Sequence, residues 1–61
     1  MTITELTEQL KHHSELIEEL AELKKNAEPG HKYGINQVIQ INLKNAKECV
    51  SRLEGLLDDN I

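Results

Sequence analysis

Sixty-one residues, 38% hydrophobic and 30% charged with a formal net charge of -4, leave room for one small unit and argue against a second domain or a general polyanion binder. No stretch approaches the roughly 20 apolar residues needed to cross a bilayer. Ordering such a chain costs roughly 1.5 kcal/mol per residue, which a lone core of this size barely offsets, so self-association is the first expectation.

Met1 leads directly into a polar, periodic segment rather than a secretory pattern. From there Ile3, Leu6, Leu10, His13, Ile17, Leu20, Lys24 and Ala27 recur at alternating intervals of three and four, which predicts a helix over about 3–27. Thr2 followed by Glu5 fits a capping box, with Thr4 as a competing start. Around 16–23 the stripe broadens through Leu16, Ala21 and Leu23, more apolar surface than one helix-to-helix seam requires, so a second partner is implied.

Glu28-Pro29-Gly30 interrupts the pattern and predicts a turn over about 28–34. Ile35, Ile39, Leu43, Ala46, Val50, Leu53 and Leu57 then predict a second helix over about 35–57, with Asn36 as its cap and Gly55 as a weak point, and fraying over the last six residues. The β-branched residues Val38, Ile39 and Ile41 are interrupted by Asn and Gln and do not alternate as a strand would.

The expected fold class is therefore all-α: an antiparallel two-helix hairpin occupying 1–61 as a single domain. A reversal near residue 31 would set Leu10 beside Leu53, His13 beside Cys49 and Val50, Ile17 beside Ala46, Leu20 beside Leu43, and Ala27 beside Ile35. Leu16, Leu23, Val38, Ile41 and Leu56 would stay poorly covered, and pairing into a four-helix bundle or a higher symmetric helical oligomer would bury them. In outline this resembles the plasmid RNA-binding hairpin dimers that regulate copy number, in fold alone and with no functional residue matched.

Chemistry-bearing residues are few. Glu8, His12 and Glu15 share a face that reads as solvated rather than metal-binding, and the Glu-x-x-His element of diiron bundles is missing. His13 and Cys49 read as a register-fixing polar group and a small hydrophobe. Cys49, the single cysteine, excludes an intramolecular disulfide and fits a reducing compartment, so the expected location is the cytoplasm. Ser14 and Ser51 lie in no nucleophile motif, so the chain reads as a non-enzyme without metal or cofactor.

Two surfaces remain. The first is Leu16, Glu19 and Leu23, an apolar stripe with an acidic border formed with Glu8, Glu15, Glu18 and Glu22, suited to a protein partner. It makes the leading expectation a homo-oligomeric helical module acting as adaptor, regulator or inhibitor of another macromolecule, of a kind frequent among phage and mobile-element products. The second is Lys32, Tyr33, Asn36 and Lys44 around the start of helix 2, which would suit an anionic nucleotide or cyclic oligonucleotide, sequestered between subunits. Residues 1–30 hold seven acids against three bases, whereas no acid occurs between Glu28 and Glu48. Dimeric-bundle RNA binding is a third reading; it would need symmetry to bring basic faces together against the acidic total.

Overall fold

The computed structural model describes residues 1–59, and of Asp59 the backbone alone. Two helices account for nearly all of it: α1 over Ile3–Asn26 and α2 over Pro29–Asp59, packed antiparallel as a hairpin. No strand occurs among the described residues, in line with the all-α expectation.

The start of α1 is the anticipated capping box. The Glu5 amide donates to the Thr2 hydroxyl at 3.1 Å, and the Thr2 amide donates to a Glu5 carboxylate oxygen at 3.2 Å. Two amides that a helix start would leave free are thereby satisfied. At the other end Lys24 and Lys25 stand in the last turn, where the helix dipole favours cations.

The turn is much tighter than the spacing predicts. Ala27 leaves the helix in an extended conformation (φ -83°, ψ 153°), its amide donating to the Lys24 carbonyl at 3.2 Å, and α2 begins at Pro29. Proline ends α1 because its ring and missing N–H forbid an interior position; the same fixed φ suits it to the first position of a new helix, where no amide partner is required. The Glu28 carbonyl accepts from the His31 and Lys32 amides at 2.8 and 3.2 Å, which closes the first turn of α2. The expected turn over 28–34 is thus corrected to the two residues 27 and 28. The expected second helix over 35–57 gains six residues at its start and two at its end. No glycine has positive φ, so Gly30 supplies no left-handed reversal. Gly55 does not break α2. The fraying expected of the last six residues falls partly on 60 and 61, outside the described residues.

Moving the reversal toward the N-terminus shifts the register. Gln9 meets Cys49, His13 meets Asn42 and Lys24 meets Asn36. His13 therefore lies against Asn42, not the expected Cys49 and Val50. On α2 the inward positions near the open end are Cys49, Leu53 and Leu56; Val50 and Leu57, expected in the seam, are exposed. The inward row Ile35, Asn42, Cys49 and Leu56 repeats every seven residues, the spacing at which a helix keeps one side toward its neighbour.

The hairpin is a thin rod, 49 × 14 × 14 Å, with a radius of gyration of 14.4 Å against roughly 10.5 Å for a compact chain of this length. Among the described residues only Leu6 and Cys49 are buried, and both lie toward the open end, where the N-terminus and the end of α2 come together. Toward the turn, Leu16 and Leu20 are half-buried, and Leu23, Val38 and Ile41 are exposed. No helix among the described residues is long and apolar enough to cross a membrane.

Candidate functional site

His13, Lys24 and Cys49 each make a polar contact across the seam. The His13 ring nitrogen Nδ1 lies 3.3 Å from Asn42 Oδ1; since a carbonyl oxygen only accepts, the contact selects the tautomer with its proton on Nδ1. Asn42 in turn donates through its amide nitrogen to the Val38 carbonyl at 3.0 Å, which orients the group that His13 meets. The Lys24 ammonium donates to Asn36 Oδ1 at 3.0 Å, and the Cys49 thiol to Gln9 Oε1 at 3.8 Å. No buried side-chain nitrogen or oxygen among the described residues lacks a partner. Polar groups at inward positions favour one register over its neighbours, because slipping would leave them unpaired. Asn42 and Gln9 were not singled out from sequence. The signal existed: Asn42 lies seven residues from both Ile35 and Cys49.

Leu16, Glu19 and Leu23 fall on one flank of α1. Gln9, Leu16 and Leu23 recur every seven residues, so the Gln9–Cys49 contact fixes which side of α2 this row borders. The adjoining row of α2 is Val38, Asn45 and Arg52, with Ile41 and Glu48 just outside it. The register sets Leu16 level with the α2 turn carrying Ile39 and Ile41, and Leu23 near the start of α2. Leu16, Leu23, Val38 and Ile41 therefore form one apolar patch in the turnward half. Leu23 is 57% exposed, Ile41 59% and Val38 43%. Glu19 is exposed at the rim of this patch. The rest of the same face, toward the open end, mixes Thr2, Gln9, Asn45 and Arg52 with the exposed Met1 and with Leu6 and Leu56, which line a groove beside Arg52.

Lys32, Tyr33, Asn36 and Lys44 do not converge. All four lie on the single helix α2, and the 12 residues from Lys32 to Lys44 span about 18 Å of it. Asn36 caps nothing: it sits well inside α2 with its carbonyl oxygen occupied by Lys24. Tyr33 is 74% exposed and covers no core. The acidic residue Glu28 precedes the α2 start, and Pro29 offers no amide there.

The larger open groove, about 550 Å³, runs beside α1 and is lined by Met1, Glu5, Glu8, Gln9, His12 and His13; a second, about 430 Å³, lies at the open end against Leu6, Arg52 and Leu56. The His doublet divides, with His13 turned toward the seam and His12 exposed. Two hydrogen bonds from Thr2, the backbone amide first and the hydroxyl second, hold the Glu5 carboxyl below its ordinary value. Among the described residues no three His, Cys, Asp or Glu side chains gather closely enough to hold a metal ion. No protein-family model matches the chain, and neither a curated protein nor a solved structure is similar to it.

Proposed function

We propose that this chain is a non-enzymatic helical binding module that associates with itself and acts as an adaptor, regulator or inhibitor of another macromolecule. The observation that carries the reading is the surplus of exposed surface, which includes the large apolar side chains Leu23, Val38 and Ile41. The chain exposes 4789 Å², roughly 750 Å² above the ~4,040 Å² typical of a folded monomer of its mass. A stable protein interface covers about 800 Å² on each partner, close to that surplus. The patch of Leu16, Leu23, Val38 and Ile41 presents anchors at helical spacing, the form in which one helical surface grips another. Glu19 and the acids on the outer side of α1 border it, and such charge affects the rate and choice of encounter more than its strength.

The test replaces Leu16 and Leu23 together by Gln and measures two quantities: mass by sedimentation, and capture of proteins on the immobilised chain. The reading expects the wild type to sediment above monomer mass and the double variant to fall to it while keeping helical circular dichroism. Wild-type protein that stays monomeric at 100 micromolar overturns self-association. A double variant that stays assembled removes Leu16 and Leu23 from the contact.

A further inference from the structure

At the open end of the hairpin a groove of about 430 Å³ brings together residues of α1 and α2 of two kinds: the apolar Met1, Leu6 and Leu56, and the cation Arg52. We infer that this groove takes a free aliphatic carboxylate, a fatty acid of about ten carbons, with its chain laid against Leu6 and Leu56 and its headgroup on the Arg52 guanidinium. The inference is independent of the self-association proposed above.

The space is left by Gly55. This residue is helical and lines the groove, and a Cβ added to it would meet no heavy atom within 4 Å. Almost any other amino acid would place a side chain there. At about 30 Å³ per water-sized unit the groove holds roughly fourteen such units, enough for the dozen or so non-hydrogen atoms of a ten-carbon acid.

The lining sets the chemistry. Sites for small ligands are mostly apolar, with a few polar groups that fix orientation. Leu6 is 1% exposed and Leu56 half-buried, so the apolar wall is held by the packing of the hairpin itself. Arg52 is the one polar side chain on the groove. It makes no ion pair or hydrogen bond with a described residue, although Glu48 stands one turn earlier on α2. A guanidinium is weakly hydrated and presents paired N–H donors that match the two oxygens of a carboxylate. Glu5, which lies beside Met1 in the neighbouring groove, does not compete for that fork: its carboxylate accepts from the Thr2 amide and hydroxyl. One apolar wall and one unpaired fork complement a molecule with one apolar chain and one carboxylate. A nucleotide would leave the leucines without an apolar partner, and an alkane would leave the guanidinium without an anion.

The test titrates isotope-labelled protein with decanoate and with decanol, each below the concentration at which it aggregates, and follows the backbone amide and Arg52 side-chain resonances. Shifts should gather at Leu6, Arg52, Gly55 and Leu56, with decanoate bound about fivefold or more tighter than decanol. Affinity should rise by up to about fourfold for each methylene added between hexanoate and decanoate. Arg52→Gln should abolish the preference for decanoate while leaving decanol within about twofold, as expected of an exposed polar substitution that spares the apolar wall. Gly55→Leu, which fills the groove, should weaken both about tenfold or more with helical circular dichroism retained. Absence of shifts up to about 1 millimolar decanoate overturns the inference. Shifts centred on Leu16, Leu23 and Val38 overturn the site. Decanol bound as tightly as decanoate, or an unchanged preference in Arg52→Gln, overturns the role of the guanidinium, and undiminished binding by Gly55→Leu overturns the groove. Sedimentation of the same samples reads self-association separately, so a monomer that binds decanoate sinks that reading and leaves this one standing.

Discussion

Thr2 and Glu5 show how much of a short helix depends on its first turn. Each satisfies an amide that water would otherwise have to reach, and neither is buried. Thr2→Ala removes the hydroxyl acceptor and should cost about 1 kcal/mol in urea unfolding at neutral pH. The Glu5 carboxyl, held below its ordinary value by Thr2, adds a pH dependence of known sign. A carboxyl lowered in the folded chain contributes stability fully above its unfolded value, and the contribution fades as pH falls through the lowered one. Acid titration of wild type should therefore destabilise the first turn of α1 within the carboxylate range, and Glu5→Gln, which removes the titrating group, should flatten that part of the curve. An equal acid response in both proteins would show that the pairing adds nothing in solution.

The helices themselves were legible in sequence because both apolar stripes keep the helical period. What escaped was the length of the turn. Pro29 and Gly30 together resemble a loop, but proline at the first position of a helix obeys the same steric rule that expels it from an interior. Placing the reversal a few residues late then shifted the expected register, which is why His13 was matched to Cys49 rather than Asn42. The candidate stripe of Leu16 and Leu23 was visible because it widens α1. Its companions Val38 and Ile41 could be recognised as uncovered, but their assembly into one patch required the true register. The Lys32, Tyr33, Asn36 and Lys44 set dispersed for the same reason: residues read as a loop are helical and spread along a rod. Gly55 gives the element-scale prediction. It is helical with no heavy atom within 4 Å of an added Cβ, so Gly55→Ala should raise stability by about 0.5–1 kcal/mol in urea unfolding. Unchanged or lowered stability would mean that the end of α2 is not helical in solution.

For the molecule as a whole, size and shape set the terms. A two-helix rod has one seam and two open faces, and the self-association proposed above would cover one of them. Association should then appear in melting behaviour: the midpoint of thermal unfolding should climb as protein concentration rises from 2 to 200 micromolar, as expected when unfolding also separates subunits. A midpoint that stays constant over that range would describe a chain whose folding needs no second copy.

The position of Cys49 has a practical consequence. Cys49 is 5% exposed, its thiol turned toward Gln9 across the seam, so a thiol reagent should reach it chiefly when the helices part. The rate at which native protein is alkylated thus counts openings of the hairpin directly, and comparing that rate with the unfolded chain's turns a single sulfur atom into an internal gauge of how often the rod comes apart.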